Sequence, residues 1–226
     1  MRGVARYCAV GAPLVAVWLA AVLTHLTQLD LRELPATLTF TTDAAGGIEI
    51  ERAGDAAWRG MQVLDRRGEP LNATFTNGWN LYDAVPLHDI PPFLRTAFVI
   101  AEDKRFFEHH GPDWRARLSA AWTNVQSGRA VRGASTISEQ VVRMLHPRPR
   151  SVWSRWLEGF EARELEQRFT KNEILAFYLN QVPYAANRRG VRQAASYYFD
   201  RDLATLSKKE MLALAVLVRA PTRFDL

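Results

Sequence analysis

Cysteine is almost absent from this 226-residue chain, which contains a single one, Cys8. One cysteine cannot form an intramolecular disulfide, and it gives no support to a cysteine-based metal site. Internal repeats and low-complexity tracts are also missing, so a repeat architecture is not indicated. At this length the chain fits one large domain, or one domain joined to an anchor and a small appendage.

Acidic residues are outnumbered by basic ones, 24 against 29, which gives a formal net charge of +5 and a pI of about 9.6. A nucleic acid, a membrane surface or a phosphorylated substrate would each suit this excess of positive charge. Arginine dominates the basic residues, and its planar fork favours bidentate contacts with phosphate. The hydrophobic content of 48% supplies enough material for a core.

Charged residues are missing from residues 7–23, a run that follows Arg2 and Arg6. Its length is near the lower limit for a membrane-spanning helix, roughly 17–25 residues. A cleaved signal peptide is the competing interpretation, but residues 24–27 make a poor small-residue cleavage site. Residues 1–29 are therefore predicted to be a cytoplasmic tip and a single-pass anchor in the cytoplasmic (inner) membrane. The remainder is then extracytoplasmic, or periplasmic, where no nucleic-acid partner is expected.

Residues 30–90 are predicted to form a small β-containing linker. Residues 37–42 and 47–51 alternate in the manner of strands, and residues 61–71 contain a second short strand pair around a turn. From residue 91 onward the pattern becomes helical. A mainly α domain is therefore predicted for residues 91–226.

Helix-start signals divide this domain. Pro91 and Pro92 suit the first positions of a helix, because the missing N–H would be unpaired there. Thr170 with Glu173, and Ser207 with Glu210, are spaced as capping boxes. The predicted helices span residues 92–107, 113–127, 151–169, 171–181 and 208–219. In the third of these, five apolar residues recur at core-facing intervals: Trp153, Trp156, Leu157, Phe160 and Leu165.

The first candidate site is the stretch 102–111, in which two adjacent carboxylates, Glu102 and Asp103, follow an apolar helical run. Buried carboxylates are costly unless they are paired or hydrogen-bonded. Phe106 and His109 follow at helical intervals that can bring them to the same site. A solvated helix end is the simpler interpretation, and these ten residues do not decide between the two.

The second candidate site is GASTISEQ, residues 133–140, followed by Arg143. Ser135 or Thr136 can cap the helix that follows, and hydroxyls at a helix start beside an arginine suit a phosphate. An ordinary cap is the alternative.

The third candidate is the pair Arg155 and Glu158, whose spacing allows a surface ion pair of little energetic value. The apolar residues between them indicate a helix face that is not freely solvated.

Together these segments resemble, in order and spacing, the five motifs of glycosyltransferase family 51, the peptidoglycan glycosyltransferases. The matching segments are EDKRFFEHHG (102–111), GASTISEQ (133–140), SRWLE (154–158), KNEILAFYLN (171–180) and GVRQAASYYFD (190–200). The resemblance covers about residues 60–226, and within the family it is greatest to the 1C-type class A penicillin-binding proteins.

The resemblance implies a lysozyme-like α fold and an enzyme that joins lipid II to a lipid-linked glycan strand through β-1,4 bonds. Undecaprenyl diphosphate would leave, and the configuration at the anomeric carbon of the donor would invert. Glu102 would be the general base and Glu158 the second catalytic carboxylate. Because they come from separate helices, they can stand as far apart as inverting glycosyl transfer requires. The implied substrate-binding residues are Asp103, Ser135, Thr136, Gln140, Arg143 and Arg155. A divalent metal, Mg or Mn, held by Glu158 is implied by the resemblance only.

Several positions depart from the family pattern. Glu139 stands in place of a glutamine, Ser154 in place of an arginine and Ala176 in place of an acidic residue. Residues 184–186 and Asp200 stand where small glycines are usual. These departures bear on the acceptor and diphosphate contacts, whereas both proposed catalytic carboxylates are retained.

Two other functions compete with polymerisation. One is a catalytically degenerate, membrane-anchored scaffold, and the other is a lytic glycan-cleaving enzyme, which would need no diphosphate-binding arginines. The SxxK, SxN and KTG motifs of a penicillin-binding serine site are missing from the sequence, so a separate transpeptidase is expected as a partner. A monofunctional enzyme and a truncated class A protein both remain compatible with the sequence.

Overall fold

A computed structural model of the protein describes residues 31–35, 38, 41–42, 48–49, 66, 79–80, 83–128 and 134–218. By its internal contacts the chain divides into two units, residues 1–32 and 33–226. The first unit contains only two described residues, and both are exposed. The second unit is mainly helical, which confirms the predicted class.

The described part of the second unit contains seven α-helices and two short strands. The helices are α1 (Pro92–Glu102), α2 (Trp114–Ser127), α3 (Ile137–Leu145), α4 (Val152–Arg168), α5 (Lys171–Gln181), α6 (Gly190–Phe199) and α7 (Lys208–Leu217). Single 3-10 turns occur at Leu87–Asp89 and Leu203–Thr205. The strands β1 (Thr41–Thr42) and β2 (Ile48–Glu49) pair antiparallel, with Thr41 opposite Glu49.

The strands β1 and β2 lie within the predicted strands 37–42 and 47–51. The predicted strand pair at 61–71 lies outside the described residues, apart from Arg66. The predicted membrane anchor, residues 7–23, also lies outside them, and no described helix has the length and apolarity needed to cross a membrane. The predicted division of the chain into an anchor, a linker and a helical domain, with boundaries after residues 29 and 90, stays a prediction.

Helix α5 lies at the centre of the fold, because it packs against both α3 and α6. Helix α3 also packs along α4, and α1 packs along α7. The largest fully buried side chains in this core are Tyr178, Phe98, Phe106 and Phe177. The core thus holds α3, which carries the second sequence motif, between the helices that carry the third and fourth.

Capping side chains set the starts of four helices. Thr136, Thr170 and Ser207 each form a complete capping box with the glutamate three residues later. Ser151 caps α4 by accepting from the Ser154 N–H. The two capping boxes predicted at residues 170 and 207 are confirmed, and of the two candidates at 135 and 136 the cap is Thr136.

Helix α1 ends at Glu102, five residues before the predicted end at 107. The prediction was wrong because the backbone of Asp103 leaves the helical region, at φ −151° and ψ 78°. Its carboxylate instead accepts hydrogen bonds from the start of α3 and from His109. Phe106 and His109 therefore reach the site through a compact turn and not through helical spacing.

Two tryptophans of α4 are exposed, although the sequence pattern predicted that they face the core. Trp153 is 47% exposed and Trp156 43%. The buried face of α4 instead includes the polar residues Ser154, Glu158 and Glu161, together with Leu157, Ala162 and Leu165. The prediction is confirmed for Leu157 and Leu165 and wrong for the two tryptophans, because polar residues occupy several of the core positions.

Two departures from the family pattern lie where the backbone is left-handed. Ala186 has φ 51°, and Asp200 has φ 51° where it caps the end of α6. Glycine adopts this conformation without strain, whereas alanine pays roughly 1–2 kcal/mol and aspartate is better tolerated. Both residues keep the glycine-like backbone, so the fold accommodates these departures.

Gly190 opens α6 at a position that accepts no side chain. Its φ is +76°, and a Cβ there would lie 2.3 Å from the backbone oxygen of Asn180. We expect Gly190→Ala to lower the free energy of unfolding by about 3 kcal/mol or more, since strain and a backbone clash add together. Urea unfolding measures this change.

Gly128 provides the matched control for this prediction. Its φ is +63°, but nothing lies within 4 Å of the place where a Cβ would stand. Gly128→Ala should therefore cost only the conformational part, about 1 kcal/mol. Equal losses in the two variants would show that the contact with Asn180 contributes nothing.

Candidate active site

The first part of the site lies at the end of α1, where Glu102 is half-buried. The Gln140 amide nitrogen donates to Glu102 Oε2 at 3.1 Å, and the Tyr178 hydroxyl donates to Gln140 Oε1 at 3.4 Å. Since Gln140 lies in the first turn of α3 and Tyr178 on the central helix α5, this relay connects Glu102 to the core. The carboxylate is held in one orientation at the surface of the fold.

Asp103, the neighbour of Glu102, lies beneath the surface and is buried. Its Oδ2 accepts the Ile137 N–H at 3.0 Å, and His109 Nε2 lies 3.0 Å from both of its oxygens. The carboxylate thus binds the end of α1 to the start of α3. This geometry supports a positioning role for Asp103 and not the predicted direct contact with substrate.

Thr136 is another predicted substrate contact that the structure places beneath the surface. It is 2% exposed, and its hydroxyl donates to the backbone oxygen of Gly111 at 3.0 Å while accepting the Glu139 N–H. Like Asp103, it joins the first sequence motif to the second. Its position supports a role in holding the motifs together.

The second part of the site is an ion pair between the half-buried Arg143 of α3 and the buried Glu158 of α4. Arg143 Nε lies 3.1 Å from Glu158 Oε1, and its Nη2 lies 2.6 Å from Glu158 Oε2. The Glu158 carboxylate raises the pKa of the Arg143 guanidinium, although burial alone would lower it. The Arg143 Nη2 also donates to the Ser135 hydroxyl at 3.3 Å. The sequence suggested Arg155 as the neighbour of Glu158, but in the fold the ion pair joins Glu158 to Arg143.

This ion pair lies in an open pocket between α3 and the start of α4. The lining residues are Ser135, Arg143, Arg150, Ser151, Ser154, Arg155 and Glu158. Three arginines, three serine hydroxyls and one carboxylate give the pocket a net positive charge and many hydrogen-bond donors. Such a lining favours an anionic ligand with several oxygens.

Three of these residues, Arg150, Ser151 and Ser154, were not among the predicted site residues. Ser154 stands in place of the arginine of the family pattern, and its hydroxyl donates to the backbone oxygen of Pro149. Arg150 lines the same pocket and is exposed. The run RPRS ahead of α4 carried the signal, since it places an arginine directly before a helix-capping serine.

Glu139 is the departure that introduces a negative charge near this pocket. It is 2% exposed, forms an ion pair with Arg117 of α2, and accepts the Thr136 N–H through Oε2 at 2.9 Å. Burial raises the pKa of Glu139 and the nearby Glu158 adds to this, against the lowering by Arg117 and the Thr136 N–H. The charge of Glu139 is therefore compensated inside the protein and is not presented to the pocket.

The predicted metal site at Glu158 does not fit the described residues. Both oxygens of Glu158 accept hydrogen bonds from Arg143, so a divalent cation would have to displace a guanidinium. Among the described residues, Asp103, His109 and Asp113 also lie close enough to share an ion. However, Asp113 forms an ion pair with Arg105. Burial raises the pKa of Asp113, but the hydrogen bonds from the Ala116 N–H and from Arg105 hold it below the ordinary value. We derive no chemical step through a metal.

The two parts of the site share one helix. Gln140, which orients Glu102, and Arg143, which pairs with Glu158, lie three residues apart on α3. Helical residues at this spacing are neighbours on one face. The fold thus places the Glu102 carboxylate and the arginine-rich pocket next to each other along one face of α3.

The chain belongs to the transglycosylase family. The family model described as Transglycosylase matches residues 67–226. This result confirms the resemblance of the five motifs to glycosyltransferase family 51, and the chain carries a peptidoglycan glycosyltransferase domain of that family.

Three relatives show the range of the family. Penicillin-binding protein 1A of Escherichia coli is 40% identical over 166 residues, which are 73% of this chain and 19% of the relative. A monofunctional glycosyltransferase of Staphylococcus epidermidis is 36% identical over 154 residues, 65% of this chain and 57% of the relative. Penicillin-binding protein 1C of Escherichia coli is 34% identical over 168 residues, which are 71% of this chain and 21% of the relative. The chain spans less than two thirds of each relative, and these identities do not single out the 1C type.

Proposed function

We propose that the chain polymerises lipid II into β-1,4-linked glycan strands with release of undecaprenyl diphosphate. The observation that carries this proposal is the pairing of an oriented carboxylate with an arginine-rich pocket along one face of α3. Glycosyl transfer to a hydroxyl needs a base within hydrogen-bond reach of the attacking group. It also needs positive charge at the departing diphosphate. The two parts of the site supply one requirement each.

In this reaction Glu102 accepts the proton of the acceptor's 4-hydroxyl as its oxygen attacks the anomeric carbon of the donor. The bond from that carbon to the diphosphate oxygen breaks, and the configuration inverts. Gln140 keeps the carboxylate turned toward the acceptor, since its amide nitrogen lies 3.1 Å from Glu102 Oε2. The reaction needs no further base, because the acceptor hydroxyl releases a single proton and the diphosphate leaves as an anion.

The pocket receives the leaving group. Arg143, Arg150 and Arg155 stabilise the negative charge that develops on the diphosphate. Glu158 fixes the guanidinium of Arg143 by accepting two hydrogen bonds from it. With three arginines and one carboxylate, the lining has two excess positive charges. The diphosphate diester of the bound donor carries two negative charges, so the lining matches the donor. Cleavage of the bond to the sugar adds a third negative charge to the diphosphate, which the arginines stabilise as it leaves.

The proposal includes a place and partners for the enzyme. A lysozyme-like domain held at the outer face of the cytoplasmic membrane by residues 7–23 would meet a lipid-linked substrate at the surface where it resides. The uncharged run behind Arg2 and Arg6 supports this anchor. A separate transpeptidase would then cross-link the strands.

Purified full-length protein with labelled lipid II tests the proposed function. The expected product is a ladder of glycan strands, together with released undecaprenyl diphosphate. Failure of the wild-type protein to form strands would favour the scaffold interpretation. Release of fragments from finished cell wall, without strand formation, would favour the lytic one.

Arg150 is expected to contribute to binding of the diphosphate, because it lines the pocket where Ser154 replaces the family arginine. We expect Arg150→Ala to lower kcat/KM for lipid II by about tenfold, the effect of losing one charge-assisted hydrogen bond. Arg192 is also an exposed arginine but lies on α6. Arg192→Ala is therefore the control, and equal losses in both variants would contradict a specific role for Arg150.

A further inference from the structure

Glu139 and Arg143 lie four residues apart on α3, with the glutamate nearer the N-terminus. This is the favoured arrangement for an ion pair within a helix. The fold does not use it: Glu139 pairs with Arg117 of α2, and Arg143 pairs with Glu158 of α4. Two carboxylates and two guanidiniums from three helices thus form two ion pairs between helices. The alternative would pair Glu139 with Arg143 within α3.

Arg117 is held in place by contacts other than Glu139. Its guanidinium lies 5.1 Å from the ring centre of Trp114, and its Nη2 donates to the backbone oxygen of Arg155 at 3.4 Å. Gly159 of α4 lies against this pair. A Cβ at residue 159 would lie 3.3 Å from Arg117 Nη2 and 3.5 Å from Glu139 Oε1.

Both carboxylates act on Arg143. Glu158 is hydrogen-bonded to it, and Glu139 lies close enough to raise its pKa further through charge alone. Glu139 is 2% exposed, so an uncompensated charge there would be costly. In the absence of Arg117, the cation within reach on the same helix face is Arg143.

We propose that Arg117 is a positioning residue, which neutralises Glu139 and thereby keeps Arg143 on Glu158 and facing the pocket. The inference rests on the proposed function, since the task of Arg143 there is to stabilise the departing diphosphate. It also gives the unusual acid Glu139 a partner of its own. The pair Arg117–Glu139 is then one unit, in which the arginine makes the buried acid tolerable.

A rescue experiment tests this coupling. Arg117→Met leaves Glu139 without its partner, so Arg143 should turn toward Glu139 and kcat for strand formation should fall about tenfold to a hundredfold. Adding Glu139→Gln removes the competing charge while retaining an oxygen for the Thr136 N–H. The double variant Arg117→Met/Glu139→Gln should therefore recover most of the lost kcat. Arg115→Met, at an exposed position two residues earlier on α2, is the control and should leave kcat unchanged.

A second readout does not depend on activity. The Nε–H of Arg143 donates to Glu158 Oε1 at 3.1 Å, so its signal in a ¹⁵N-arginine NMR spectrum reports this contact. Arg143→Lys assigns the signal by removing it. The signal should shift in Arg117→Met and return to its wild-type position in the double variant.

Either of two results would overturn the proposal: a double variant as impaired as Arg117→Met, or an Arg143 signal that does not move in Arg117→Met. Thermal unfolding of each variant separates these effects from a general loss of stability. If the wild-type protein formed no strands, the proposed function would fail, whereas the NMR measurement would still decide whether Arg117 controls the pairing of Arg143.

Discussion

Glu102→Gln is expected to lower strand formation by about a thousandfold, the middle of the range for loss of a general base. The substituted amide has the same shape, and its carbonyl oxygen can still accept from Gln140. It cannot take the proton of the acceptor's 4-hydroxyl. The loss should therefore appear in kcat with labelled lipid II, while lipid II binding and the urea unfolding midpoint stay close to wild type.

Glu108 provides the control for this substitution. It belongs to the same motif and carries the same charge, but it is exposed. Glu108→Gln should leave strand formation within about twofold of wild type, as expected for a surface substitution. If Glu102→Gln kept most of its activity, or if the two variants behaved alike, Glu102 would not be the base.

Local signals were sufficient to predict most of the helices. Capping boxes at Thr170 and Ser207 fixed the starts of α5 and α7, because a cap depends only on residues three apart. The end of α1 could not be predicted in this way. Asp103 leaves the helix to bond with Ile137, which is 34 residues later in the chain.

The start of helix α6 could not be predicted from local signals either. It begins at Gly190 without a side-chain cap, since Arg189 offers no acceptor at that position. Its place depends on the close approach of Gly190 to Asn180, which is a tertiary contact. No pattern within residues 189–199 records that contact.

The candidate site was predictable as a set of residues but not as a set of pairs. The motif order identified Glu102, Arg143 and Glu158, yet the nearest basic neighbour of Glu158 in sequence is Arg155. The fold instead joins Glu158 to Arg143, 15 residues away, because α3 and α4 pack side by side. Arg117 was missed for the same reason, since its partner Glu139 lies on another helix.

The pair Arg143–Glu158 gives the second large expected effect. Arg143→Met removes the partner of a carboxylate that is 5% exposed, which should cost about 3–5 kcal/mol of folding free energy. It also removes the guanidinium that faces the leaving diphosphate. Strand formation should fall by about a hundredfold to a thousandfold, comparable to the loss of one preorganised donor in a catalytic site.

Two further variants separate stability from chemistry. Arg143→Met/Glu158→Gln removes both charges, so most of the lost stability in urea unfolding should return while strand formation should not. Arg143→Lys keeps the charge but loses the bidentate fork, and it should retain about a tenth of wild-type activity. Recovery of activity in the double variant along with stability would show that the pair only holds α3 to α4. Persistence of the activity loss in a stable protein would show that the pair contributes to the chemistry and not only to the contact between α3 and α4.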